Sequence, residues 1–224
     1  MRSLQIKGVT LGFGSGPART MALDSIDLTL QGGMLTVVAG PSGSGKTSLL
    51  SVLGAILSPD SGSVVMEGVD VASLNGSSRA RFRREIVGYV FQSFRLMTAL
   101  TAEENIRLSL EIRRIDDRVR RAHDALDLVG LSSKRHLRPN EMSGGEKQRV
   151  AIARAIAHQP ILLLADEPTA SLDTANGLQV TKLLAELASD PDRIVVVVTH
   201  DPRLLPFGER IIQLQDGVVK EVDP

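Results

Sequence analysis

The sequence predicts an α/β fold: a parallel-sheet core with an N-terminal antiparallel β-subdomain, interrupted by an inserted α-helical subdomain. Three observations predict it. Residues 34–39 read as a buried strand that enters a glycine-rich loop and then an apolar-faced helix from Ser48, the order of a strand, a tight turn and a covering helix. Residues 161–165 and 194–198 are apolar at every position, as suits central parallel strands covered on both faces. Residues 3–9 and 23–30 instead alternate apolar and polar, the pattern of antiparallel strands with one wet face.

The remaining elements follow along the chain. Residues 62–72 read as a hairpin turning near Glu67-Gly68, and 78–85, with four arginines, as a short exposed helix. Residues 87–91 read as a strand. From about 101 to 157 the periodicity is helical; Thr101 with Glu104 makes a capping-box start. Pro139 and Asn140 break that pattern before a further helix from about 144. A helix near 174–188 joins the two apolar strands, and 209–222 is a hairpin around Asp216-Gly217. The 224 residues make one domain, 1–92 and 156–224 forming the core with its β-subdomain and 93–155 the helical insertion.

Composition narrows the function. Lys+Arg and Asp+Glu both number 26, so nothing suggests wholesale nucleic-acid binding. The chain has no cysteine, which excludes disulfides and thiolate metal sites. No apolar run reaches the ~18 residues of a membrane span. The first seven residues read as a strand rather than a signal peptide. The expected compartment is the cytoplasm, with docking on a membrane protein left open.

The most informative segment is Gly40-Pro41-Ser42-Gly43-Ser44-Gly45-Lys46-Thr47, followed by Ser48. It satisfies the phosphate-loop pattern G-x-x-x-x-G-K-[ST] at every fixed position. Glycines allow the sharp turn that converges backbone N–H groups on phosphate oxygens. Lys46 supplies a point charge for the β- and γ-phosphates and Thr47 a hydroxyl for Mg²⁺. The helix starting at Gly45 or Lys46 aims its positive end at the same anion. The expected ligand is a nucleoside triphosphate.

Asp166 and Glu167 end the apolar run 161–165. Ligands of open α/β sheets sit at the C-terminal ends of strands, so Asp166 is placed to organise Mg²⁺ through water and Glu167 to orient an attacking water. Met142-Ser143-Gly144-Gly145-Glu146 precedes an alanine-rich helix. Ser143 with Glu146 is a capping box. Capping does not explain Gly144 and Gly145, since glycine costs about 1 kcal/mol against alanine in a helix interior. Two glycines there suggest close approach to something, such as another phosphate.

Phosphate loop, Ser-Gly-Gly-Glu segment and apolar-Asp-Glu, in this order, resemble an ATP-binding-cassette (ABC) transporter ATPase over about residues 4–222. The resemblance implies a RecA-like P-loop NTPase core. Gln92 resembles the family's glutamine loop, Ser171-Leu172-Asp173 its D-loop and His200 its switch histidine. Two copies would face head to tail, with ATP on residues 40–47 of one capped by residues 143–146 of the other. His200 would contact the γ-phosphate and the attacking water, Gln92 would sense Mg²⁺ and the γ-phosphate, and Asp173 would couple the two sites. Met142 replaces the usual leucine, a swap of apolar volume. Phe13, the sole aromatic before the phosphate loop, is the candidate for the adenine-stacking aromatic, usually tyrosine.

Residues 87–105 and 146–156 are similar to the lipoprotein-releasing and macrolide-exporter ATPases of that family. The implied partners are a transmembrane permease subunit on the inner face of the membrane and a second copy of the chain. Phe94, Leu96, Met97 and Leu100 would form part of a groove for the permease's coupling helix. A cell-division or signalling ATPase driving a membrane partner without transport would look nearly the same. A DNA-repair, chromosome or translation ATPase would carry a second cassette, a long coiled coil or zinc modules, which this sequence lacks.

Overall fold

The computed structural model describes residues 2–223. In chain order the main elements begin with β1 (Ser3–Phe13), β2 (Thr20–Gln31), β3 (Leu35–Ala39), α1 (Lys46–Leu53), β4 (Ser61–Met66) and β5 (Val69–Asp70). There follow α2 (Gly76–Glu85), β6 (Val87–Val90), α3 (Ala102–Ile112), α4 (Arg118–Leu128) and α5 (Gly144–Ile156). The chain closes with β7 (Leu162–Asp166), α6 (Thr174–Ala188), β8 (Ile194–Thr199), β9 (Arg210–Gln215) and β10 (Val218–Asp223).

The strands form two sheets. One runs β10-β9-β3-β8-β7-β6; its strands from β9 to β6 pair in parallel, and β10 closes the edge antiparallel to β9. The other runs β2-β1-β4-β5 and is antiparallel throughout. Side chains alternate across a strand, so the apolar strands of the parallel sheet feed two cores. Leu163, Ala165, Val195 and Val197 pack with α3–α6, whereas Leu162, Leu164, Val196 and Val198 pack with α1 and the antiparallel sheet. This double coverage is why the runs are apolar without interruption.

The first two strands are longer than their alternation predicts. β1 reaches Phe13 rather than residue 9, because Gly8 (φ 56°) bulges the strand and pairing resumes at Val9↔Ile26. Asp27 Oδ1 accepts the Gly8 N–H at 2.9 Å, satisfying a donor the bulge takes out of the ladder. The extension matters for the site, since it carries Phe13 opposite Thr20, close to where β2 passes the phosphate loop. α2 buries none of its side chains, as its arginine content implies.

Candidate functional site

The phosphate loop leaves the C-terminal end of β3 and enters α1 at Lys46. Gly45, at the N-cap, has φ 101°, and a Cβ there would lie 2.2 Å from the Ala22 carbonyl oxygen. Both the dihedral and the close approach of β2 demand glycine. Lys46 folds back over the loop, its Nζ donating to the carbonyls of Gly40 (2.8 Å) and Pro41 (2.7 Å). The loop thus holds its own cation over a ring of backbone, ready to exchange two neutral acceptors for phosphate oxygens, which bind a charged donor more strongly.

A 420 Å³ cleft opens over this loop. Ser42, Gly43, Gly45, Lys46, Thr47 and Ser48 line one side; Phe13, Gln92, Glu167 and His200 line the rest. Gly40, Pro41 and Ser44 do not line the cleft: Ser44 is buried, and Gly40 and Pro41 turn their carbonyls to Lys46. Ala22 also lines the cleft and was not legible beforehand: it is an ordinary strand residue, brought there by the bend of β2 past Gly45.

Asp166 and Glu167 diverge in environment. Thr47 Oγ1 donates to Asp166 Oδ1 at 3.1 Å, joining the two groups expected at Mg²⁺. Burial raises the Asp166 carboxyl above its usual range, opposed by the Thr47 hydroxyl bond and reinforced by the neighbouring charge of Glu167. Thr47 and Gln92 line the cleft and Asp166 sits against Thr47; hydroxyl, carboxylate and amide make an all-oxygen donor set, which fits Mg²⁺ completed by phosphate and water. Among the described residues no cluster of three or more His, Cys, Asp or Glu could hold a metal on its own.

Glu167 sits in the left-handed region at φ 47°, a conformation that costs a non-glycine residue of order 1–3 kcal/mol and tends to cluster at functional sites. Its N–H donates to the Val198 carbonyl at 2.9 Å, tying β7 to β8. Its carboxylate accepts from His200 Nδ1 at 2.7 Å, the Thr199 hydroxyl at 3.2 Å and the His200 N–H at 3.3 Å. Glutamate and histidine are therefore held as one unit at the mouth of the cleft. Behind them Asp201, gripped by Arg203 and by the Thr169 hydroxyl, is held down to about 2. Thr169, Asp201 and Arg203 were not singled out in the sequence; the signal available was the Thr199-His200-Asp201 run closing an apolar strand.

The segment 143–146 does not join this cleft within the chain. Ser143 Oγ accepts the Glu146 N–H (3.3 Å) and Glu146 Oε2 accepts the Ser143 N–H (2.8 Å), the expected capping box. Lys134 and the cap hold the Glu146 carboxyl down to about 2. Gly145 has in addition a close neighbour inside the chain: a Cβ there would meet Asn176 of α6. Asp173 caps α6, its Oδ1 accepting the Asn176 N–H at 2.9 Å.

The expected apolar groove also differs. Leu96 turns inward onto the main core, and of Phe94, Leu96, Met97 and Leu100 only Met97 lines the neighbouring 570 Å³ cleft. Arg154 bonds the Phe94 and Arg95 carbonyls, and Asn105 bonds Met97 N–H and the carbonyls of Met97, Leu100 and Thr101. With these bonds and left-handed Phe94 and Arg95, the loop gives the cleft only Arg95 and Met97, and the other walls come from α2, α3, Arg113 and Arg154.

Phe13 is 48% exposed at the rim of the nucleotide-sized cleft. Phe13→Ala is expected to weaken adenine-nucleotide binding by roughly 1–3 kcal/mol, the scale of base–aromatic stacking, without moving Tm. Titration calorimetry checks it; an unaltered Kd returns Phe13 to the scaffold.

The family model described as "ABC transporter" matches residues 23–170. An uncharacterized ABC transporter ATP-binding protein of Mycobacterium tuberculosis is 43% identical, over 100% of this chain and 68% of its own. Another from Methanocaldococcus jannaschii is 38% identical over 98% of both chains. Among solved structures, an M. jannaschii ATP-binding cassette, dimeric in a post-hydrolysis state bound to ADP and Pi, matches with a TM-score of 0.89 at 38% identity. That match covers 98% of this chain and 97% of the other.

Proposed function

The chain belongs to the ABC transporter family, as an ATP-binding ATPase using ATP and Mg²⁺, and from that premise we propose that two copies close head to tail over ATP to drive a transmembrane permease of the exporter or lipoprotein-releasing type. One observation carries the dimer: residues 143–146 present a capped helix N-terminus that does not line the chain's own phosphate-loop cleft. A second copy supplies what the cleft lacks. The dimeric state of the M. jannaschii cassette supports the same reading.

The chain's residues divide the work. The loop N–H groups and Lys46 bind the phosphates. Thr47, Asp166 and Gln92 would hold Mg²⁺, which neutralises phosphate charge when bound. Glu167 orients water and His200, fixed against it, steadies that orientation. Phosphoryl transfer rests mainly on such positioning and electrostatics. Residues 93–155 act as the module between nucleotide and permease.

No helix among the described residues is long and apolar enough to cross a membrane, so the permease reading requires a docking surface. The 570 Å³ cleft beside the 92–101 loop supplies one. Met97, Leu108 and Ile112 give it an apolar floor, and Arg83, Arg84, Arg95, Arg113 and Arg154 give it a positive wall without a lining carboxylate. Burial lowers Arg113 to about 10, and its donors go to the backbone carbonyls of Arg83, Arg84 and Val87. An apolar helix bearing carboxylates complements this wall.

The sequence has no cysteine, so Met97→Cys creates a unique thiol at a position 55% exposed. In native membranes it is expected to cross-link an integral membrane protein, whereas Val69→Cys on the β-subdomain is not. Equal labelling from both positions would sink the docking assignment. The captured protein's identity separates a transport permease from a cell-division or signalling partner.

A further inference from the structure

α5 and α6 meet at a contact that nucleotide binding alone does not explain. A Cβ on Gly145, which is buried near the start of α5, would lie 2.1 Å from Asn176 Oδ1, 2.4 Å from its Cγ and 2.8 Å from its Cβ. Gly144 is different: its added Cβ would meet Leu172 Cδ2 at an ordinary 3.4 Å. Only the second glycine is demanded by packing inside the chain.

Asn176 cannot simply swing away. Its Nδ2 donates to Asp173 Oδ2 at 2.7 Å while its N–H donates to Oδ1 at 2.9 Å. These two bonds also hold the Asp173 carboxyl below its ordinary range. Further along, Arg149 Nη1 donates to Gln179 Oε1 at 2.7 Å. Gly145 and Arg149 are four apart on α5, and Asn176 and Gln179 three apart on α6, so each pair shares one helix face. Two rungs therefore fix the two helices against one another at their N-terminal ends.

The start of α6 is tied to the reacting end of the sheet as well. Arg203 donates to Thr174 Oγ1 at 3.3 Å and to both oxygens of Asp201 at 2.7–2.9 Å. Thr199 Oγ1 accepts the Asp201 N–H at 2.9 Å and donates to Glu167 at 3.2 Å. An unbroken series of contacts thus runs from Glu167 to the first turn of α6, and through Asn176 to the first turn of α5.

We propose that Asn176 is a positioning residue for ATP hydrolysis, locking the Ser143–Glu146 turn to Asp173 so that both meet the partner copy's nucleotide as one rigid piece. The proposal rests on the head-to-tail reading above. It gives Gly145 a role within its own chain, beside the close phosphate approach in trans, and the two roles predict different genetics. If the glycine serves only the phosphate, no change at Asn176 relieves a methyl at position 145. If it makes room for Asn176, removing that side chain does.

The experiment compares Gly145→Ala, Asn176→Gly and the double variant in the full chain. Steady-state ATPase is measured with Glu167 intact, and ATP-dependent sedimentation on the Glu167→Gln background. Gly145→Ala is expected to lower kcat by about 10- to 100-fold, the cost of misplacing groups by an ångström or less. Fluorescent-ATP binding to the monomer stays unchanged, because the phosphate loop is untouched. Asn176→Gly on top of Gly145→Ala is expected to return kcat to the level of Asn176→Gly alone, since the three atoms nearest the added methyl all belong to the Asn176 side chain. Should Gly145→Ala fail to fold, Asn176→Ala tests the point alone, deleting the amide without adding an atom; it is expected to lower kcat at least about fivefold with monomer binding unchanged.

Two results overturn the proposal. One is a double variant in which the two losses simply multiply, kcat falling below that of Asn176→Gly alone by the full Gly145→Ala factor, while all three variants melt like the parent. The other is Asn176→Ala turning over within about twofold of the parent, the scatter of independent sites. Failure of the head-to-tail reading looks different: the Glu167→Gln chain, with Gly145 and Asn176 in place, stays monomeric in ATP, and Ser143→Ala leaves turnover of the purified permease complex unchanged.

Discussion

Lys46→Ala raises the Kd for ATP by about 100-fold or more, the scale of removing one preorganised donor from a charge-stabilising site. Lys46 is only 6% exposed and already aimed across the loop, its Nζ bonded to the carbonyls of Gly40 and Pro41. Binding therefore costs little ordering of this side chain, whereas an exposed lysine would lose its rotamer freedom. The substitution removes a full charge next to the phosphates and leaves two loop carbonyls without that donor. Arginine does not rescue it: its planar fork cannot follow a point charge on a flexible stem into the same space. Calorimetric titration with ATP checks the result, with a melting curve to show that the loop still folds. Affinity within about threefold of the parent, roughly 0.7 kcal/mol, would remove the phosphate loop from the binding site.

Much of this arrangement was readable from the sequence, for a reason that also marks where reading fails. Strands β7 and β8 announce themselves because both faces are buried, and the loop 40–47 because its glycines and lysine have fixed offsets along the chain. Asp166 and Glu167 follow from the strand that carries them. Each signal is local, between residues a few positions apart. The inward turn of Leu96 is not local: it depends on Arg154, about sixty residues away, reaching the carbonyls of Phe94 and Arg95. The need for a glycine at position 145 depends on Asn176, thirty-one residues later and on another helix. A sequence read alone sees such a glycine only through its own motif, and the packing partner on another helix adds a second reason that spacing does not carry. The extension of β1 to Phe13 was hidden for a third reason, since the Gly8 bulge shifts the pairing on which the alternation signal depends.

Glu167→Gln keeps ATP binding, slows hydrolysis by about 10²- to 10⁴-fold, and turns an ATP-dependent monomer–dimer exchange into a stable dimer. The substitution is close to isosteric and lies across the cleft from the phosphate loop, so affinity holds. It removes the negative charge that, in the proposed mechanism, orients the attacking water. It also disturbs the unit that holds the water-orienting group, because Glu167 now accepts three donors: His200 Nδ1, the Thr199 hydroxyl and the His200 N–H. An amide offers one oxygen and one NH₂. With its oxygen on His200 Nδ1, the NH₂ faces the His200 N–H, two donors opposed, and the bond is lost. Hydrolysis thus suffers from both the missing charge and the loosened histidine. In the proposed head-to-tail dimer binding and closure do not, since they would use Lys46, Thr47 and residues 143–146 of the second copy. Sedimentation with and without ATP and Mg²⁺ checks the outcome: a shift from monomer to dimer is expected, absent when Lys46→Ala is added. A monomer at saturating ATP would mean that closure needs the permease to bring two copies together, or that the Ser143–Glu146 turn is a helix cap and nothing more. Ser143→Ala in the purified complex separates those two, because a cap alone affects stability and leaves turnover per folded complex unchanged.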